Sequence, residues 1–255
     1  MIRNQGGAGA ATGGRGKSPN GIQAWLFDFD NTLAALEENV DWAASRAELE
    51  AYLRARGVAP SFFREFPKRN LVLYEALRAE LQRAGPGRDS GSSELLQGAS
   101  EIIERHELAG AAKAPALAGA IELLGTLRKR KLPCAIVTSN SSRTVRSWLV
   151  RHHCKAAVRV VVGRERMMAL KPDPSMLAGA LAELAAAPEE AIFIGDSKAD
   201  LLAAQSLGVR FAAVAANDDA REAMRRAGAK EMFDSPKELA AHFGLLATEP
   251  SRPRP

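Results

Sequence analysis

Two carboxylates one residue apart, Asp28 and Asp30, close the apolar run Trp25-Leu26-Phe27. A run of that length reads as a buried strand. Burying a charge without a partner is costly, so both aspartates belong where the strand leaves its sheet. Asp-x-Asp at such a place offers oxygen ligands to a hard cation such as Mg²⁺. Taken alone, the same pair is also a common start of a loop or a helix. Other polar groups follow apolar runs downstream. Thr138 and Ser139 end the run 133–137, Asp196 and Asp200 follow the run 191–194, and Lys171 lies in the turn Leu170-Lys171-Pro172-Asp173-Pro174. A carboxylate nucleophile, acids for a metal, a hydroxyl for a phosphate oxygen and a cation form a set suited to phosphoryl transfer.

These groups meet only if the elements bring them together. From residue 118 onward, short apolar runs alternate with helical periodicity. Strands are expected at 133–137, 158–162, 191–194 and 209–215, and helices at 118–131, 141–153 and 174–186, with another up to Leu207 before Gly208. Asp173 reads as a helix cap with Pro174 in the first turn. Alternation of this kind implies a parallel sheet with right-handed crossovers. All its carboxyl-end turns then face one crevice, where ligands bind. Residues 34–115 differ: they hold no strand candidate. One helical pattern runs from Val40 through Arg56 and stops at Gly57-Val58-Ala59-Pro60. A second carries Leu71, Leu73, Leu77 and Leu81, and a third spans 93–108.

The chain has 255 residues, 46% hydrophobic and 25% charged, within the ordinary globular range. Its net charge of +5 sits mostly in the tails, where Arg3, Arg15 and Lys17 precede the body and Arg252 and Arg254 follow it. A basic nucleic-acid face is therefore not expected. Cys134 and Cys154 are too few for a disulfide framework, and Cys134 reads as a core residue. No apolar stretch is long enough to span a membrane, and no secretory signal is evident, so a cytoplasmic setting is expected. Ala11-Thr12-Gly13-Gly14-Arg15-Gly16-Lys17-Ser18 imitates a P-loop, but no strand precedes it and Pro19 breaks the chain after it. His106, His152, His153 and His242 share no spacing and read as surface residues.

In order and spacing, the polar strand ends resemble those of the haloacid dehalogenase superfamily of phosphohydrolases. Asp28-Phe29-Asp30-Asn31-Thr32 is similar to its first motif, Thr138 to its second, Lys171 to its third and Gly195-Asp196 through Asp200 to its fourth. The resemblance covers residues 22–235 and implies an α/β fold, a Rossmann-like parallel sheet core with an inserted α-helical cap domain. The implied division is a disordered tail at 1–20, a core at 21–33 and 116–245, a cap at 34–115 and a disordered tail at 246–255. It further implies that Asp28 is the nucleophile and that Asp30 is the general acid and base. Thr138, Ser139 and Lys171 would bind the substrate phosphate. Mg²⁺ would be held by Asp28, the Asp30 backbone carbonyl and Asp196, with Asp200 supporting the metal or Lys171.

Asp30 favours phosphate esters over the dehalogenases and phosphonate hydrolases of the superfamily. Similar sugar phosphomutases carry a cap histidine where this chain has Val40. Asn31 stands where many relatives have glycine. The expected function is thus a Mg²⁺-dependent, phosphoglycolate phosphatase-like hydrolase of a small phosphorylated metabolite, acting through an aspartyl phosphate. A phosphomutase and a non-catalytic phosphate-binding regulator are the alternatives. Arg46, Arg64, Lys68, Arg69 and Asn70 are candidate cap contacts to the substrate. The protein is expected as a monomer or homodimer without nucleic-acid or membrane partners.

Overall fold

A computed structural model describes residues 21–66, 69–83, 89–165 and 168–246. The tail 1–20 with its P-loop imitation, Lys68, and residues 247–255 lie outside the described residues. Six parallel strands form one sheet: β1 (Ala24–Phe27), β2 (Cys134–Val137), β3 (Val160–Val162), β4 (Ala191–Gly195), β5 (Arg210–Val214) and β6 (Met232–Phe233). Their spatial order is β3-β2-β1-β4-β5-β6. This is the α/β class expected from the alternating pattern.

β1 is central, with Trp25 beside Cys134 of β2 on one side and Ile192 of β4 on the other. All four of its residues are buried, which explains a run without polar alternation: a parallel strand is covered on both faces. Trp25 and Phe27 enter one apolar cluster with Leu123, Leu124, Trp148 and Leu239. Ala24 and Leu26 enter the opposite one with Leu177, Leu181 and Leu201. Buried side chains such as Leu26 and Phe27 each contribute roughly 1.5–3 kcal/mol relative to exposure.

Among the described residues, five α-helices lie between β1 and β2 in sequence, and the first four fall within 34–115: α1 (Trp42–Arg54), α2 (Pro60–Glu65), α3 (Asn70–Arg83) and α4 (Asp89–Ala111). Their apolar residues Leu49, Leu53, Leu73, Leu77 and Ile103 join the same cluster as Leu26. Proline 60, which the sequence suggests as a stop, instead opens α2 at its first turn. The missing N–H costs nothing there, because first-turn donors have no helical partner.

The remaining helices are α5 (Ala120–Lys129), α6 (Ser142–Arg151), α7 (Ser175–Leu184), α8 (Lys198–Leu207), α9 (Asp218–Ala227) and α10 (Pro236–His242). α7 starts one residue later than the sequence suggests, with Pro174 as the cap position and Asp173 Oδ1 accepting from the Ser175 N–H at 2.9 Å. α9 and α10 are capped by Asn217 and Ser235, whose side chains accept from the N–H groups of Ala220 and Glu238. None of the described helices is long and apolar enough to cross a membrane.

Candidate active site

The turns after β1, β2 and β4 and the segment before α7 converge at the carboxyl edge of the sheet. Lys171 lies at the middle. Its ammonium donates to Asp28 Oδ1 at 2.5 Å, to Asp200 Oδ1 at 2.5 Å and to the Val137 carbonyl at 3.1 Å. All three N–H donors of a lysine are thereby used, and its side chain is 5% exposed. The peptide between Lys171 and Pro172 is cis.

Asp200 is fully buried at the first turn of α8. Its Oδ2 accepts from the backbone N–H of Ser197 at 3.0 Å and from the Ser197 hydroxyl at 2.5 Å, while the Ser197 hydroxyl oxygen accepts from the Asp200 N–H. That reciprocal capping box leaves Oδ1 aimed at Lys171. Gly195 is required beside it: a Cβ there would lie 2.6 Å from the Asp200 Cβ.

Carboxylate oxygens of Asp28, Asp196 and Asp200 lie within 4.8 Å of one another. Three hard oxygen donors facing one lysine form a net-negative pocket. Burial pushes Asp196 up to about 9, and the charges of Asp28 and Asp200 add to that despite Lys171. Burial likewise raises Asp28 to about 6, opposed by Lys171. A divalent cation supplies the charge this pocket lacks, and oxygen-only donors suit Mg²⁺. The residues therefore fit that ion.

Asp30 has hydrogen-bond partners of its own. Its Oδ1 accepts from the N–H groups of Leu36 and Glu37, both at 2.9 Å. Burial pushes its carboxyl up to about 7; the two N–H groups pull it down, and the charges of Asp28 and Glu37 raise it. A carboxyl near that value can donate a proton and take one back at neutral pH. The loop folds back through Asn31 at φ +53°, a left-handed conformation that glycine and asparagine tolerate best.

Thr138 is buried in the turn after β2. Its hydroxyl donates to Asn140 Oδ1 at 3.0 Å and accepts from the Asn140 N–H at 3.2 Å. The hydroxyl thus has both bonds inside its own turn. Ser139 lies in the same turn, its carbonyl accepting from Arg164 at 3.0 Å. Two residues with no signal in the sequence reach this turn: Glu107 of α4 and Arg164 after β3, both with fully buried side chains.

Among the candidate cap contacts, Asn70 is buried and donates to the Ser45 hydroxyl at 2.9 Å. Arg46 donates to Glu50 at 2.6 Å and to the Phe66 carbonyl at 2.8 Å. Arg64 and Arg69 are exposed. Among the described residues, none of these four bonds to Asp28, Asp196 or Asp200. Cys134 is buried, and burial pushes its thiol up, which suits a core residue and not a nucleophile.

A family model described as haloacid dehalogenase-like hydrolase matches residues 25–214. Phosphoglycolate phosphatase 1 of Pseudomonas aeruginosa is 24% identical over 194 residues, covering 74% of this chain and 68% of its own. Hexitol phosphatase A of Escherichia coli is 32% identical over 199 residues, covering 77% and 85%. A crystal structure of a hydrolase from Pseudomonas syringae superposes with a TM-score of 0.59 at 24% identity, covering 89% of this chain and 100% of that one.

Proposed function

Because the chain belongs to the haloacid dehalogenase-like hydrolase family, we propose that it is a Mg²⁺-dependent phosphatase hydrolysing a small phosphorylated metabolite by way of an aspartyl phosphate on Asp28. The observation that carries this reading is the placement of Lys171 between Asp28 and Asp200 beside Asp196. A carboxylate and a phosphate ester repel each other, so the nucleophile needs cations around it. Lys171 is one; Asp28, Asp196 and the Asp30 carbonyl would hold Mg²⁺ as the other. When bound, the ion neutralises charge on the phosphoryl oxygens and orients the group in line with Asp28.

In the first step an Asp28 oxygen attacks phosphorus, the bond from phosphorus to the leaving oxygen breaks, and Asp30 gives that oxygen its proton. In the second, Asp30 as carboxylate takes a proton from water. The water oxygen attacks phosphorus, and the bond to Asp28 breaks to release inorganic phosphate. The raised value of Asp30 serves both directions. Lys171 fixes the rotation of the Asp28 carboxylate, and Asp200 fixes Lys171. The Asn140 N–H is bonded to Thr138 Oγ1, so the Ser139 N–H, beside the Thr138 hydroxyl, would serve the phosphoryl oxygens.

Val40 is buried and apolar, so it supplies no acid or base for transfer to a second sugar hydroxyl, which favours water as the acceptor. The names of the relatives, phosphoglycolate and hexitol phosphatases, point to small polar anions and sugar-alcohol phosphates as substrates. The test is phosphate release from a panel of such monoesters with Mg²⁺ and with a chelator. Mg²⁺-dependent release from at least one is expected; no release from any, with the protein folded, overturns the proposal.

A further inference from the structure

Arg164 and Glu107 stand 57 residues apart in sequence and form an ion pair with both side chains at 0% exposure. Two bonds join them, from Nη1 to Oε1 at 2.8 Å and from Nη2 to Oε2 at 3.1 Å. Desolvating two charges is expensive, and such pairs are often no better for stability than apolar residues of the same size. A reason other than stability is therefore needed, and their further partners supply it.

The remaining side-chain bonds of the pair go to α4, to the turn after β2 and to the first turn of α6 that follows it. Arg164 donates from Nη1 to the Ser139 carbonyl at 3.0 Å, from Nε to the Ser100 hydroxyl at 3.1 Å and from Nη2 to the Ser100 carbonyl at 3.4 Å. Its guanidinium also lies 5.5 Å from the centre of the Tyr74 ring of α3. Glu107 accepts the Ser141 N–H at 3.0 Å, Asn140 Nδ2 at 3.1 Å and the Thr144 hydroxyl at 3.4 Å. The main chain adds a bond from the Arg164 N–H to the Asn140 carbonyl at 2.7 Å. Gly163 lets the two segments touch, since a Cβ there would sit 2.4 Å from the Ser142 nitrogen.

The polarity of this network has one solution. A carboxylate only accepts, so Glu107 requires the NH₂ of Asn140 to face it. The Asn140 carbonyl oxygen then faces Thr138, and the Thr138 hydroxyl must donate to it. Glu107 thus sets the hydrogen-bond direction along the turn, in which the Asn140 N–H goes to Thr138 and the Ser139 and Asn140 carbonyls go to Arg164, leaving the Ser139 N–H for a phosphate oxygen.

We propose that Glu107 and Arg164 are positioning residues which hold the 139–141 turn in the shape that grips the substrate phosphoryl group. The inference rests on the phosphatase reading for the identity of the ligand. It makes α4, a helix outside the sheet, a structural part of the phosphate site.

Single changes such as Glu107→Gln leave a buried charge unpaired and can prevent folding. The main variant is therefore Glu107→Leu with Arg164→Met, which removes both charges; Arg164→Lys keeps the charge and loses the two-pronged contact. The double variant is expected to keep its thermal midpoint within a few degrees. Its KM for an aryl phosphate and its inhibition constant for inorganic phosphate should rise together by about 10- to 100-fold, the range for losing hydrogen bonds to a charged group. Its kcat and half-saturating Mg²⁺ should change far less, and Arg164→Lys should fall between. A folded double variant, or a folded Arg164→Lys, with wild-type KM and phosphate inhibition overturns the proposal. If the wild type hydrolyses no monoester, calorimetric titration with inorganic phosphate separates the two ideas. Weaker phosphate binding in the variant upholds the positioning role while the phosphatase reading fails; equal binding, or none in the wild type, sinks it.

Discussion

The crowding of Asp28, Asp196 and Asp200 makes metal binding compete with protons, and that competition can be read as thermal stability. Asp196 is held up to about 9 and Asp28 to about 6, against an unfolded aspartate near 3.9. The folded metal-free protein therefore keeps protons that the unfolded chain releases. That share of stability is full below about pH 4 and is lost as pH rises through about 6 and then about 9. Mg²⁺ must displace the Asp196 proton, so below pH 9 its affinity falls about tenfold per unit, equivalent to about 1.4 kcal/mol. From pH 8 to pH 6 the loss is about 100-fold. At a Mg²⁺ concentration of about 100 times the pH 8 dissociation constant, the ion stabilises by about 2.7 kcal/mol at pH 8 but only about 0.4 kcal/mol at pH 6. For a chain of this size those figures are a Tm increase of roughly 5–11 °C against roughly 1–2 °C. Scanning fluorimetry with chelator and with Mg²⁺ at both pH values measures the difference. An equal shift at both, or a metal-free Tm that climbs from pH 6 to pH 9, would refute the account of a cation-deficient carboxylate pocket.

Two substitutions probe the same centre. In Asp30→Asn the amide oxygen can still accept from the Leu36 and Glu37 N–H groups, so the fold should survive. Alkyl phosphate turnover should fall about 10²- to 10⁴-fold, with less effect on attack at an aryl phosphate. Stopped-flow traces showing equal losses for both leaving groups would remove Asp30 as the acid. Lys171→Met takes the cation from Asp28 and Asp200 and should cost about 3–5 kcal/mol in urea unfolding of the metal-free protein at pH 8. The cost should be smaller at pH 5, where Asp28 is protonated; a larger cost at pH 5 would contradict the burial argument.

Much of this centre was legible in the sequence because burial leaves a simple trace. An all-apolar run that ends in Asp28 has few places to lie but the middle of a parallel sheet, and the same logic places Asp196 after β4. Lys171 was legible through its company rather than its own surroundings. The partner of the Thr138 hydroxyl is not legible in the sequence, because it is decided within the turn, where Asn140 two residues on meets both its donor and its acceptor. The bond from Lys171 to Asp200 Oδ1 has no trace in the sequence, because the capping box that leaves that oxygen free forms only in the folded turn. Glu107 had no legible signal: flanked by Glu104, Arg105 and His106, it looks like a solvated helix position. Pro60 carried a true signal with two meanings, the end of one helix and the first turn of the next.

The centrality of β1 has a consequence for the order of events during synthesis. Asp28 emerges early, yet Lys171, its partner, lies 143 residues further along, and Asp200 another 29 beyond that. β1 cannot be sandwiched until both β2 and β4 exist, and such distant closures are slow to form. The helices α1–α4, built from near neighbours in sequence, can assemble while the strand that carries the nucleophile waits. A ribosome-bound chain arrested before Lys171 would thus hold its first helices beside an acid pair with no counter-charge. Chemistry becomes possible only when the final third of the polypeptide has arrived.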